Sequence, residues 1–283
     1  MGNIVYLETT AVIDSAFKSN PNVLSILNNA EKSVTSQYVK MEIKKGFLNN
    51  LVLLHNKVVQ CRSWSEVHDF IARLSLSPFN RYYLGTVLDV MVKFWKERED
   101  KRPSELKEKY GDIPVSEIIM NDAKYHLRMM IRRLLKKVDK LTDEKINPME
   151  CFIDLEEPHL KGDIFVNTPH KCPDSANECE IKKFFHDNIE DFKKIHEGLS
   201  QLPKEKVDAE TQRRISSLKD IIRTRLPRST MKFSNKSQDE KLCWNCADAI
   251  HAVLAPKDAF VVTKNAQHFE PICSFIEKGC ITY

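Results

Sequence analysis

The chain has 283 residues, 42% of them hydrophobic, with 44 lysines and arginines against 40 aspartates and glutamates for a formal charge of +4. That length and composition suit a globular chain with one large or two modest cores. Only 7 glycines occur, against about 7% of residues in an average protein. They stand far apart, at Gly2, Gly46, Gly85, Gly111, Gly162, Gly198 and Gly279, which excludes both a glycine-rich phosphate loop and a GxGxxG dinucleotide turn. A phosphate ligand would have to be held by metal ions or by Lys and Arg.

No stretch reaches the roughly 18 apolar residues of a membrane span. The opening MGNIVYLETTAVID lacks the basic region and cleavage site of a secretory signal. The expectation is a cytoplasmic chain whose 8 cysteines are reduced. Residues 3–8 (NIVYLE) form an apolar, β-rich run and predict a buried strand. A helix is expected from Thr10, and Asn20-Pro21 opens a second over 21–30. Val34–Ser36 is a short strand candidate, and Ser36 caps a helix running through Tyr38, Val39, Glu42, Ile43 and Phe47.

From about 50 to 235 the pattern is mainly helical: Trp64–Leu74, Asn80–Arg98, Ser116–Leu141, Glu180–Leu199 and Lys206–Arg225. Leu127, Met130, Ile131, Leu134, Leu135 and Val138 mark one apolar face. Residues 147–179 are irregular. The α/β pattern then returns, with a helix over Leu242–Leu254, a buried strand over Ala259–Thr263, a short helix over Phe269–Ile276 and an edge strand over Cys280–Tyr283. Neither end alone could bury a sheet on both faces. The simplest assembly is a parallel α/β core built from 1–50 and 236–283, with a helical insertion at 51–235.

Four segments carry acids or amides, the first of them at the carboxyl end of the first strand, where open α/β sheets bind ligands. They are Tyr6-Leu7-Glu8-Thr9-Thr10, the helix with Glu42, Cys246-Ala247-Asp248-Ala249-Ile250-His251-Ala252, and Val262-Thr263-Lys264-Asn265. YLETTAVID resembles the opening motif of PIN-domain ribonucleases, the nuclease fold of many bacterial toxin–antitoxin toxins. TSQYVKMEI is similar to their second motif, ADAIHA to their third and VVTKNAQHF to their fourth, all in the family's order. The resemblance covers roughly residues 3–50 and 240–283. It implies a PIN-like three-layer parallel sheet core carrying a large all-helical insertion.

The resemblance implies a metal-dependent endoribonuclease in which Glu8, Glu42 and Asp248 hold Mg²⁺ or Mn²⁺ and Asn265 assists. Thr9 or Thr263 would orient a ligand water. Hard divalent ions prefer carboxylate oxygens, and such an ion activates water and neutralises a scissile phosphate. The chain departs from the family's pattern at Glu8 and at Asn265, where the family has Asp. The second change removes one negative charge, which Asp14 or Asp239 would have to supply. The other reading is an impaired PIN-like protein that binds nucleic acid or a protein partner. Taken singly, Glu42 reads as a solvated charge, Asp248 as a helix acid paired with Lys or Arg, His251 as a packed helix residue and His268 as a turn residue.

Cys172, Cys179, Cys243 and Cys246 are a candidate four-thiolate zinc site; otherwise they are buried small residues of a reduced protein. A zinc-stabilised helical interaction protein is the third reading. Two runs are strongly basic. One contains Arg128, Arg132 and Arg133, the other Arg213, Arg214, Arg223 and Arg225. Each is either a solvated helix face or a surface for RNA or single-stranded nucleic acid. An antitoxin-like inhibitor would use the same surface, no membrane partner is expected, and homo-oligomerisation is left open.

Overall fold

The structure is a computed structural model and describes residues 3–75, 81–99, 114–146, 157–167, 180–223 and 244–283. In chain order the elements are β1 (Ile4–Leu7), α1 (Thr9–Ile13), α2 (Pro21–Asn29), β2 (Lys32–Ser36), α3 (Gln37–Ile43), α4 (Asn49–Gln60), α5 (Trp64–Ser75), α6 (Arg81–Glu99) and α7 (Val115–Leu141). There follow β3 (Glu144–Ile146), β4 (His159–Lys161), β5 (Ile164–Val166), α8 (Glu180–Asp187), α9 (Ile189–Ser200), α10 (Ala209–Arg223), α11 (Ala247–Leu254), β6 (Ala259–Thr263), α12 (Ala266–Phe275) and β7 (Gly279–Thr282). Two helices widen into π-helical turns, α1 at Asp14–Lys18 and α3 at Lys44–Leu48.

By internal contacts the chain divides into two units. The first comprises Met1–Met41, Lys140–Leu155 and Lys171–Tyr283, the second Glu42–Asp139 and Glu156–His170. The sheet unit thus takes in 140–155 and 171–235 as well as the two chain ends.

The first unit carries a five-stranded, all-parallel sheet in the order β3-β2-β1-β6-β7. Tyr6 faces Val34 on one side and Val261 on the other, so β1 is the central strand. Its Val5, Tyr6 and Leu7 are all buried, the continuous apolar run expected of a strand covered on both faces. The chain moves outward from β1 through β2 to β3, then returns to the other side of β1 as β6. The order of strands therefore reverses between β1 and β6.

Polar pins hold this centre. The Tyr6 hydroxyl lies 2.9 Å from Ser36 Oγ and 3.0 Å from His251 Nδ1, tying β1 to β2 and to α11. Thr35 Oγ1 donates to the Leu7 carbonyl (2.9 Å). Ser36 Oγ accepts from Val39 N and starts α3 as its sequence suggests. At the other end of α11, Lys278 Nζ donates to the carbonyls of Ala252 (2.7 Å), Val253 (3.0 Å) and Ala255 (2.5 Å), a lysine cap on a helix C-terminus.

The apolar core beside the sheet joins Tyr6, Val34 and Val261 to Phe192, Ile195, Leu218, Ile250 and Phe269. The expected single helix over Glu180–Leu199 is two helices, α8 and α9, broken at Asn188, whose Nδ2 donates to the Phe184 carbonyl (2.9 Å). The bend brings the Phe185 and Phe192 rings to 4.5 Å. At Gly198 α9 comes so near α12 that a Cβ would stand 2.5 Å from the Phe275 ring.

The second unit is mainly helical. Leu127, Ile131, Leu134 and Val138 of α7 are buried, as their spacing predicts. Its β4–β5 hairpin was not anticipated by the sequence. One side chain holds it to α4: Asn56 Oδ1 accepts from Phe165 N (2.8 Å) and Asn56 Nδ2 donates to Phe165 O (2.8 Å). The amide stands in for a neighbouring strand. No helix among the described residues is long and apolar enough to cross a membrane.

Candidate functional site

Glu8 follows β1 directly and is 3% exposed. Its carboxylate caps α1, accepting from Thr10 N (2.8 Å), Ala11 N (3.2 Å) and the Thr10 hydroxyl. Burial pushes its pKa up, against the Thr10 hydrogen bonds and the charge of His251, and the charge of Asp248 adds to the rise. Glu8 and Asp248 thus sense each other's field. Glu8 stands at the carboxyl end of β1, beside the β1/β6 reversal, the position at which open parallel sheets bind ligands.

Asp14, on the π-helical turn, is also buried. Lys18 Nζ (3.2 Å) and Lys264 Nζ (3.9 Å) pair with it, and the Tyr283 hydroxyl donates to it (3.3 Å). Asp239, the other stand-in for a missing acid, lies outside the described residues.

Asp248 sits in the first turn of α11 and is surrounded by partners. Arg214 Nη2 donates to its Oδ2 and reaches Glu210 Oε1 at 3.3 Å. His268 Nδ1 lies 3.3 Å from the same Asp248 oxygen and 3.7 Å from Glu210 Oε1. The other ring nitrogen, Nε2, is 3.0 Å from Asp208 Oδ2. Asp208 is itself fixed, since its Oδ1 accepts from Thr211 N (2.7 Å) at the start of α10. Glu210, Asp248 and His268 each offer one ligand atom, all within 4.8 Å of one another.

Electrostatics follow from this packing. Burial alone would raise the Asp248 carboxyl, but His268 and Arg214 outweigh it and hold the group below its usual range. The hydrogen bond to Asp248, helped by that to Asp208, lifts His268 to about 9 against the cost of burial. Asp208 is pulled down by its backbone bond from Thr211 and by His268. At neutral pH His268 is therefore an imidazolium between two carboxylates. The Asn265 amide nitrogen, Nδ2, lies 2.8 Å from Nδ1 of the same ring.

Of the residues expected to act together, Glu8 feels the charge of Asp248, and Asn265 and Asp248 both contact the His268 ring. Asn265 N also donates to Thr263 Oγ1 (2.9 Å), and Thr9 Oγ1 lies 3.4 Å from His251 Nε2. Glu42 is half-buried on α3 and belongs to the second unit. Of the expected zinc ligands, Cys172, Cys179 and Cys243 lie outside the described residues. Cys246 is in the core, and burial pushes its thiol up to about 12.

Of the basic residues, Arg132, Arg133, Arg213 and Arg223 are exposed, and Arg128 is half-buried, 3.6 Å from Asp163. Arg225 lies outside the described residues. Arg214 departs from the expected basic face. It is 1% exposed and turned inward to Asp248 and Glu210, because its place on α10 falls among the buried Thr211, Ser217, Leu218 and Ile221.

Asp208, Glu210 and His268 were not picked out as site residues by their sequence. A signal for the first was present: Asp208 three residues before Thr211 is a helix N-cap pattern. No family model, curated protein or solved structure matches the chain.

Proposed function

We propose that the protein is a PIN-like nuclease that hydrolyses phosphodiester bonds of RNA, or single-stranded DNA, at the β1/β6 reversal. The observation that carries this reading is the buried Glu8 carboxylate at the carboxyl end of the central parallel strand, within the field of Asp248. Motif order adds support, since Glu8, Glu42, Asp248 and Asn265 occur in the sequence of the four family-like segments. In this reading the core is drawn from both chain ends together with β3 and the helices α8 to α10 of the same unit, and the second unit is the insertion. Exposed Arg213 and Arg223 on α10 would meet the nucleic-acid backbone.

The donors fit Mg²⁺ or Mn²⁺ in kind, being carboxylate oxygens. They fit less well in availability, since Glu8 is engaged in capping α1 and Asp248 in pairing with Arg214. Such an ion, when bound, supplies an activated water and neutralises the scissile phosphate. Asp248 and Glu8 would hold it, while His268 orients Asp248.

The test is cleavage of single-stranded RNA with Mn²⁺. Asp248→Asn is expected to abolish it and to leave the far-ultraviolet circular dichroism unchanged. A variant that cleaves as fast as the wild type would show the site assignment to be wrong.

One observation favours a second reading, a PIN-like protein that binds nucleic acid or a protein partner and does not cleave. The Arg214 guanidinium already neutralises Asp248. Under this reading Asn265→Asp, by returning one negative charge, raises Mn²⁺ affinity sharply, and the wild type retains bound RNA intact.

A further inference from the structure

We propose that Glu210, Asp248 and His268 form a divalent-cation site, and that the Arg214 guanidinium holds the cation's place there, so that ion and guanidinium bind in competition. None of the four motif segments contains Glu210 or assigns a ligand role to His268. The proposal stands whether or not the protein cleaves nucleic acid.

Three donor atoms converge. His268 Nδ1 lies 3.3 Å from Asp248 Oδ2 and 3.7 Å from Glu210 Oε1. An ion with ligands at about 2.0–2.2 Å sets neighbouring donors about 3.0–3.6 Å apart, so only small shifts would close the set. Asp208 completes the arrangement from behind. Its Oδ2 accepts from His268 Nε2 at 3.0 Å, so a ring that gives up its Nδ1 proton to make way for an incoming ion would present that nitrogen to the two carboxylates, in place of its present 2.8 Å contact with Asn265 Nδ2. A carboxylate behind the imidazole is the usual support of a metal-bound histidine.

Arg214 is the independent sign that a cation belongs here. Its Nη2 bonds the same two carboxylate oxygens, Glu210 Oε1 and Asp248 Oδ2. The guanidinium is nonetheless poorly satisfied. Its Nε and Nη1 are buried and have no hydrogen-bond partner among the described residues, although the side chain is 98% buried. A buried charge with two unmet donors is a weak occupant. A divalent ion brings twice the charge to the same oxygens. Glu210 is exposed, which gives the ion an entry and the glutamate freedom to turn. One imidazole nitrogen with two carboxylates suits Mn²⁺ or Zn²⁺ better than Mg²⁺, which favours an all-oxygen shell.

Isothermal titration of the full chain with MnCl₂, and separately with ZnCl₂, tests this. Arg214→Gln is expected to bind one ion at least about tenfold more tightly than the wild type, and Glu210→Gln and His268→Gln at least about tenfold more weakly. Arg214→Lys keeps a cation in place and is expected to stay within about threefold of the wild type, while reporting that the position tolerates substitution. Unchanged or weaker binding by a folded Arg214→Gln overturns the proposal, as does absence of binding by both proteins. Loss of binding in Glu8→Gln with none in Glu210→Gln also overturns it, placing the ion at the β1 end instead. Failure of RNA cleavage with these affinities intact would reject the nuclease reading alone.

Discussion

His268 Nε2 stands 3.0 Å from Asp208 Oδ2, so a ring on α12 is fastened to the residue that caps α10. The other face of that fastening is Asp248, 3.3 Å from Nδ1. The pair of carboxylates raises His268 from 6.5 to about 9, with Asp248 the larger cause. A raised folded-state value means that the imidazolium stabilises the fold fully below pH 6.5, and that this contribution is lost as pH rises through about 9. Asp208 and Asp248 are depressed, so their share is present above about pH 3.8 and is lost on further acidification. The expected result is a difference in urea midpoint between wild type and His268→Gln that shrinks between neutral pH and about pH 9.5. A constant difference over that range would refute the imidazolium assignment.

Gly198→Ala sets two effects against each other. Alanine favours a helix over glycine by about 1 kcal/mol. Here its Cβ would stand 2.5 Å from three atoms of the Phe275 ring, and Phe275 packs against the sheet core. Overpacking costs about 1–3 kcal/mol, so the substitution is expected to destabilise. A rise in thermal midpoint would show that α9 and α12 are less closely seated. At Gly279 a Cβ would meet the Phe260 ring, which is 38% exposed and free to swing, so Gly279→Ala should cost less.

Lys278→Met keeps the aliphatic stem and removes the cap on α11. Burial lowers the ammonium to about 8, opposed first by the charge of Asp191, so it is still charged at neutral pH where it donates to three carbonyls. Losing those bonds and the favourable end of the helix dipole should destabilise by about 1–3 kcal/mol. Denaturant unfolding near pH 7 measures it.

Asn56→Ala removes both bonds to the Phe165 backbone. The expected loss is about 1–3 kcal/mol. Asn56→Asp should be worse, since a carboxylate accepts from Phe165 N but repels Phe165 O. Hydrogen exchange at the Phe165 amide reads this directly: it should accelerate in both variants while the β6 amides keep their protection.

Much of the sheet was legible because its strands are continuous apolar runs. Ile4–Leu7 and Ala259–Thr263 fall where NIVYLE and AFVVT place them, and Glu8 is buried at the strand end as its position suggested. β3 escaped notice because Glu144-Lys145-Ile146 is short, charged and at an edge, with Asp143 tying it to Ser33 by a side-chain bond of 2.7 Å. Arg214 was misplaced for a related reason. A run of arginines and lysines reads as a solvated face, and only the helix register shows that one of them points inward. Asp208 and His268 come from α10 and α12, 60 residues apart, and no local pattern announces such a meeting.

The sheet order has a consequence for how the chain acquires its fold. β1 is the central strand, yet one of its two neighbours, β6, begins only at Ala259. Until that segment arrives, the buried apolar strand Ile4–Leu7 has one open edge, available to any other extended chain. Closing it requires the joining of segments some 255 residues apart (Ile4 with Ala259), a contact whose entropy cost makes formation slow. The carboxyl end of β1 that carries Glu8 is complete only once β6 is in place, and a chain cut ahead of β6 would leave that apolar strand edge open.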